Sequence, residues 1–168
     1  MVANLSSHKR DWDDRWEEFS TWAESGQDVK NQLLKLVDED TNAFNAIMAA
    51  FRLPKGSDAE KADRSAAIQA ATKHAIEVPM QVMRLSLDSF KVIRAMANIG
   101  NPNSVTDAGV GALCARAAVH GAFLNAKINA GSLKDKEFVE NTLKEGEAML
   151  EQVDEWEREV MRMVESKI

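Results

Sequence analysis

The scarcity of residues that interrupt a helix is the feature that most constrains the fold of this chain. Its 168 residues include only 8 glycines and 3 prolines, so turns are few and the elements between them must be long. From about residue 13 to residue 51, apolar side chains recur every three or four positions, which is the period of one helix face. No alternating pattern typical of strands extends over a useful length. The sequence predicts an all-α fold, an up-and-down bundle of about five long helices, in one domain over residues 1–168.

Capping and breaking signals predict the helix boundaries. The Leu53-Pro54 pair ends the first long helix, and Ser57 with Glu60 forms a capping box for the next one. We expect Pro79 to kink that helix or to restart the chain. The other predicted boundaries are a stop at Gly100, a cap at Thr106, a break at Gly131 and a last helix from about Lys134 to Glu165. These signals divide the chain into long helices with short connections.

The composition argues against several classes of protein. Acidic residues number 27 and basic residues 21, a net charge of −6 that disfavours binding to nucleic acid or to anionic membranes. The single cysteine rules out an internal disulfide framework. No Glu-x-x-His pair occurs among the few histidines, so we expect no metal site. No run approaches the roughly 18 apolar residues of a membrane span, and residues 1–10 lack a signal-peptide core, so we expect a cytoplasmic protein.

An acidic residue occupies a position of the first long helix that the sequence predicts to face the core. Steps of three and four along the apolar face lead from Leu33 through Asp40 to Phe44, whereas Asp38 and Glu39 are predicted to face solvent. A carboxylate buried without compensation costs several kcal/mol, so such a group is paired, protonated or functional. The pattern leaves two interpretations equally open, a structural hydrogen bond and a general acid or base.

A second candidate site lies on the helix predicted between Asp107 and Asn129. One of its faces has small residues in the middle and polar residues at both ends: Asp107, Gly111, Cys114, Ala118, Gly121, Asn125 and Asn129. Small side chains let a flat ligand approach, and the two asparagine amides can pair with the edge of a heterocycle. The alternative, which the pattern favours, is a packed central helix whose amides tie neighbouring helices together.

Two further features concern charge and association. Arg52 and Lys55 flank the end of the first long helix, where they stabilise the helix dipole or bind the anionic tail of a ligand. The last helix carries more apolar surface on one face than a terminal helix normally leaves in water, which predicts at least a dimer. That face consists of Leu143, Met149, Leu150, Val153, Trp156 and Val160.

The chain resembles the formiminotetrahydrofolate cyclodeaminase family in segments that contain these candidates. The segments are residues 36–44 and 52–55, then residues 106–113, 121–125 and 128–129. The resemblance covers nearly the whole chain. It is closest to the cyclodeaminase portion of a family that includes methenyltetrahydrofolate cyclohydrolases and fused formiminotransferase-cyclodeaminases. It implies an all-helical homodimer that binds tetrahydrofolate, often polyglutamylated, as its one-carbon carrier, with no metal and with a formiminotransferase as a partner.

The resemblance also implies a reaction in histidine degradation. In that reaction 5-formiminotetrahydrofolate becomes 5,10-methenyltetrahydrofolate and ammonia is released. The catalytic aspartate of the family is the second acid of a Val-Asp-x-Asp motif, which falls on Asp40. We expect Asp107, Asn125 and Asn129 to orient the pterin side of the substrate. The charges of Arg52 and Lys55 suggest contact with its glutamate tail.

Two alternatives to this reaction are considered. The first is the cyclohydrolase reaction, because it also passes through a tetrahedral carbon between the two folate nitrogens. The second is an N-terminally truncated, non-catalytic helical interaction protein. Similar proteins begin with a Gly-rich turn and an Ala/Gly-rich helix, and nothing in this sequence matches that segment, which is why a shortened form is considered.

Overall fold

The computed structural model describes residues 1–7 and 14–168, and its regular elements there are helical. They are α1 (Val2–Ser7), α2 (Trp16–Arg52), α3 (Asp58–Asp88), α4 (Phe90–Ile99), a 3-10 turn (Pro102–Ser104), α5 (Val105–Ala130) and α6 (Lys136–Glu165). The predicted all-α bundle is confirmed, with α2, α3, α5 and α6 as its long helices. Within the described residues, no helix is both long and apolar enough to cross a membrane.

Side-chain capping explains where α3 and α6 begin, at Ser57 and Asp135. Ser57 Oγ accepts a hydrogen bond from the Glu60 backbone N–H at 3.2 Å, and Glu60 Oε2 accepts one from the Ser57 N–H at 2.8 Å. The predicted capping box of α3 is therefore confirmed. The cap predicted at Thr106 is wrong, because the 3-10 turn leads directly into α5 and the helix already begins at Val105. Gly131 follows the last residue of α5, as expected.

Pro79 lies inside α3 without ending it, so the chain does not restart there. A proline has no N–H, and the carbonyl of Ala75, four residues earlier, is left without its usual helical donor. Asn129 of α5 supplies the replacement, because its Nδ2 donates to the Ala75 carbonyl oxygen at 2.8 Å. The long helix breaks only at Ser89, and α4 begins at the next residue, Phe90.

The main core lies between α3, α5 and α6, and it includes α4 and the first part of α2. The inner face of α5 is made largely of buried alanines: Ala108, Ala112, Ala122, Ala126 and Ala130. Such short side chains bury little area each, so the helices must approach closely. Gly146 of α6 is an example of this close approach between helices, because a Cβ at that position would overlap the Phe123 ring of α5.

A smaller apolar cluster joins α2 to the opposite part of α3. It contains Leu36 and Ala43 of α2 and Ala75 and Val78 of α3, with Ile47 packed against it. We call this contact the α2–α3 seam. Since α3 also packs against α5, it lies between the two helices that carry the predicted site residues.

The apolar face of α6 packs against other helices of the same chain. Met149, Val153 and Val160 are buried, and Leu143, Leu150 and Trp156 are half-buried against the main core. The apolar surface from which a dimer was predicted is therefore covered within the chain by other helices, including α4 and α5, and the dimer itself stays a prediction. Most of the large apolar side chains that stay exposed belong instead to α2 and α5.

Candidate functional site

Asp40 lies on the outer side of α2 rather than in the core. Its side chain is exposed, and its carboxylate makes no hydrogen bond or ion pair with any described residue. The predicted core-facing position is wrong because Leu36, Ala43 and Ala50 form the buried face of α2. These residues recur every seven positions, and the two alanines allow α3 to approach more closely than a phenylalanine would.

Apolar side chains flank Asp40 on the open face of α2. Val37, one turn before it, is 63% exposed, and Phe44, one turn after it, is 61% exposed. Residues three and four apart share a helix surface, so the carboxylate lies between them. A free carboxylate with apolar neighbours offers both an acid–base group and a surface for an apolar ring. We take this face as the candidate active site.

Glu39, predicted to face solvent, is instead half-buried beside the α2–α3 seam. Its Oε1 lies 2.9 Å from Nε2 of His74, and Glu77 Oε2 lies 3.9 Å from the other ring nitrogen. Glu39 and His74 line a polar cavity of about 370 Å³ together with Lys35. Within residues 1–7 and 14–168, no three His, Cys, Asp or Glu side chains are placed to hold a metal ion. The sequence analysis missed the Glu39–His74 pair, although the repeat of Leu36 and Ala43 every seven positions points to it.

Asp107 lies in the first turn of α5, exposed at the edge of another cavity. This cavity of about 300 Å³ is lined by residues of α1, by Gly26 and Lys30 of α2, and by Gly111 of α5. The small residues leave room at its walls, and Asp107 and Lys30 place charges of opposite sign at its edge. Asp107 is therefore accessible to a ligand, as its predicted role requires.

The two asparagines of α5 differ in their environments. Asn129 is half-buried and ties α5 to α3 through the Ala75 carbonyl. This is the helix-to-helix amide that the sequence left as the favoured alternative. Asn125 is exposed, and its Nδ2 donates at 3.3 Å only to the Gly121 carbonyl of its own helix. Asn125 is thus the more accessible of the two for a ligand.

Arg52 and Lys55 lie at the exposed end of α2. Lys55 lines a cavity of about 290 Å³ together with Lys61 and Arg64, and Arg52 is not part of that lining. Arg64 Nη2 also donates to the Phe51 carbonyl oxygen at 3.1 Å, which caps α2. The structure therefore gathers three cations around one cavity, of which the sequence analysis identified only Lys55.

The family is decided by a match over most of the chain. A family model described as formiminotransferase-cyclodeaminase matches residues 1–148. The chain belongs to this family. The match contains Asp40 together with all the other predicted site residues.

Individual relatives agree with this assignment. A methenyltetrahydrofolate cyclohydrolase of Methylorubrum extorquens is 34% identical over 168 residues, which is 100% of this chain and 81% of that protein. A formimidoyltransferase-cyclodeaminase of Dictyostelium discoideum is 34% identical over 76% of this chain, which spans only 23% of that longer protein. A crystal structure of a formiminotetrahydrofolate cyclodeaminase from Thermotoga maritima matches 99% of this chain and 79% of its own, with a TM-score of 0.84 and 28% identity.

Proposed function

We propose that this chain is a folate-dependent one-carbon enzyme that converts 5-formiminotetrahydrofolate into 5,10-methenyltetrahydrofolate and ammonia, in histidine degradation. The family match supports the substrate class. The observation that carries the proposal is the Asp40 carboxylate, which has no partner among residues 1–7 and 14–168 and lies on an open face between Val37 and Phe44. In the proposed complex, these two side chains contact the flat pterin and Asp40 is the acid–base group.

The chemistry needs one group that moves protons. The N10 nitrogen of the folate attacks the formimino carbon and loses its proton, while the former imine nitrogen becomes an amine. That amine takes up a proton and leaves as ammonia, and the methenyl bridge forms between N5 and N10. The ammonia carries the original imine hydrogen, the proton from N10 and one proton from solvent. Asp40 accepts the first proton and delivers it to the departing nitrogen.

Other residues would bind the rest of the substrate. Asp107 and Asn125 are accessible for the pterin side. Asn129 has one amide N–H committed to α3, so its remaining N–H and its oxygen are left for a ligand. The cations around Lys55 suit the carboxylates of a glutamate tail, with Arg52 nearby in sequence.

The proposed enzyme acts as a homodimer and works together with a formiminotransferase. Support for that partner comes from relatives that are named formimidoyltransferase-cyclodeaminase and are about four times as long as their matched region. Such an arrangement would pass the formimino substrate directly to this domain.

A second candidate is the methenyltetrahydrofolate cyclohydrolase reaction. It is favoured by the M. extorquens relative, which carries that name and is 34% identical over the whole chain. Water would replace the folate nitrogen as the attacking group on the bridging carbon. The same Asp40 carboxylate would accept one proton of that water and deliver it to N5 as the bond between N5 and the bridging carbon breaks. The formyl group then stays on N10, and the second proton of the water is released to solvent.

One assay separates these candidates. Purified protein is given 5-formiminotetrahydrofolate, and methenyl formation is followed by absorbance while released ammonia is measured in parallel. Equal amounts of both products support the cyclodeaminase. In a second reaction, 5,10-methenyltetrahydrofolate is supplied and its loss above the uncatalysed rate supports the cyclohydrolase. A folded protein that does neither contradicts the proposal and favours the non-catalytic alternative.

A further inference from the structure

Pro79 leaves one backbone carbonyl of α3 without a helical partner, and a side chain of α5 supplies the donor. A proline has no N–H, so the carbonyl of Ala75, four residues earlier, lacks its usual hydrogen bond. Nδ2 of Asn129 donates to this oxygen at 2.8 Å, and Ala75 itself is buried. Because a carbonyl oxygen only accepts hydrogen bonds, the amide nitrogen of Asn129 must face Ala75, and its Oδ1 must face elsewhere.

The other end of the Asn129 amide has no partner within residues 1–7 and 14–168. Its Oδ1 accepts no hydrogen bond there and its second N–H donates none, and the side chain is half-buried rather than enclosed in the core. An amide held in one orientation presents an acceptor and a donor side by side. The hydrogen bond to Ala75 therefore uses one end of the amide and leaves the other end available to a ligand.

Asn129 and Asp40 lie at the same level along the bundle, on the two helices that pack against α3. Asp40 stands between Leu36 and Ala43 on α2, and these two residues pack with Ala75 in the α2–α3 seam. Asn129 contacts the same Ala75 from α5. The available end of the amide is therefore at the level of the proposed acid–base group.

The pterin of a tetrahydrofolate has an edge that matches this pair of groups. In its lactam form, N3 carries a hydrogen and C4 carries an oxo group, which are a donor and an acceptor side by side. Oδ1 of Asn129 can accept from N3–H while the second amide N–H donates to the oxo group. In a 2,4-diamino pterin the order is reversed, because N3 has no hydrogen and the group at C4 is an amine. Such an analogue is complementary only to the opposite orientation of the amide.

We infer that Pro79 determines which form of the pterin this chain binds, because it fixes the orientation of the Asn129 amide. Pro79 is a positioning residue, since it acts through the Ala75 carbonyl and Asn129 rather than on the substrate. Turning the amide in the wild type leaves a buried carbonyl unpaired, which costs about tenfold in affinity, or about 1.4 kcal/mol. The inference rests on the proposed function for the pterin and adds a specificity-determining residue to it.

Pro79→Ala tests the inference, because alanine restores the backbone N–H and favours the helix. The Ala75 carbonyl is then paired without Asn129, and the amide can turn. Dissociation constants of tetrahydrofolate and of its 2,4-diamino analogue are measured by calorimetric titration. We expect the wild type to prefer tetrahydrofolate and Pro79→Ala to lower that preference about tenfold, with unchanged helical circular dichroism. Gln81→Ala, at an exposed position two residues later in α3, is the matched control and should keep the preference.

The Asn129→Ala background shows whether the effect passes through the amide. There the preference should already be lost, and adding Pro79→Ala should change it by no more than about twofold. A purely structural role of Pro79 would change both dissociation constants alike, and in either background. Asn129→Asp is a second variant that leaves α3 unaltered. Its side chain has no N–H for the oxo group, so it should also lose the preference for tetrahydrofolate.

Three results would overturn the inference. They are a wild type that binds both pterins equally, a preference that Pro79→Ala leaves unchanged, and an effect of Pro79→Ala that is equally large in the Asn129→Ala background. Each of these leaves the proposed function standing, provided that the wild type binds tetrahydrofolate. A folded wild type that binds neither pterin contradicts the proposed function, and the inference fails with it.

Discussion

Glu39 and Asp40 are consecutive carboxylates with opposite surroundings. Glu39 lies beside the α2–α3 seam and pairs with His74 at 2.9 Å, whereas Asp40 faces outward without a partner among the described residues. Glu39, beside the seam, is held in a structural pair with His74. The Asp40 carboxylate, on the open face, is available to a substrate. The same contrast recurs in α5, where alanines face the core and Leu124 and Ile128 face outward. In both helices the buried side contains small residues, because short side chains allow the closest packing between helices.

The largest expected effect separates the two carboxylates. Asp40→Asn should lower kcat/KM on the folate substrate by about 10²–10⁴-fold, because the proton-transfer group is lost, while the melting temperature stays unchanged. Glu39→Gln should change kcat/KM only a few-fold, since the Glu39 carboxylate is directed toward His74 of α3 rather than toward the open face. Steady-state kinetics and thermal melts of both variants check this. Near wild-type activity of Asp40→Asn would show that the open face does not carry the chemistry.

Two glycine substitutions compare a closely packed position with a roomier one. Gly146→Ala should destabilise the protein by about 1–3 kcal/mol, because the new methyl group overlaps the Phe123 ring. Gly26→Ala should stabilise it by about 0.5–1 kcal/mol, since alanine favours a helix interior. The nearest atom to a Cβ at Gly26 is Val92 Cγ1 at 3.6 Å, an ordinary contact. Urea unfolding gives both values, and effects of the same sign would contradict this account of the core.

Substitution of Asn129 tests the hydrogen bond that joins α5 to the Ala75 carbonyl of α3. Asn129→Ala should cost about 1–3 kcal/mol of unfolding free energy, because the buried Ala75 carbonyl loses its donor. In a Pro79→Ala background the cost should be smaller, since the new backbone N–H can donate to that carbonyl. A double-mutant cycle measures this coupling. If the two substitutions are additive, the amide does not replace the missing backbone bond.

The smallest expected effect concerns Asp154, at the margin of the α5–α6 contact. Burial by itself would raise the pKa of Asp154, but hydrogen bonds with His120 and Arg116 outweigh it, and the net pKa is lowered. A carboxyl with a depressed folded pKa contributes stability above its unfolded pKa, about 3.9, and loses it as pH falls through the folded pKa.

Asp154→Asn should therefore destabilise the protein by less than about 1 kcal/mol near neutral pH, given the partial exposure of these side chains. The difference from wild type should shrink below about pH 4, where the native carboxyl takes up its proton. Urea unfolding at a series of pH values checks this. A difference that grows toward acid pH would show that the pKa is raised.

The sequence by itself determined the class of fold and most helix ends. Few glycines and prolines, together with an unbroken helical period, leave long helices as the stable arrangement of this chain. The capping box of Ser57 and Glu60 and the break at Gly131 are local, so neighbouring residues are enough to predict them. The motif predicts Asp40 as a site residue independently of the face it was expected to occupy, and that role stays a prediction.

Only the tertiary structure decided which face of each helix is covered. The helical period shows which residues share a face, but it does not show which face meets a neighbour. In α2 the face with Ala43 and Ala50 is buried, whereas the larger Val37 and Phe44 are exposed. The reason is that close contact with α3 is possible only through short side chains. The continuity of α3 through Pro79 depends on Asn129, which is far away in sequence. Such choices depend on how surfaces of different helices fit together, and a pattern within one helix does not contain that information.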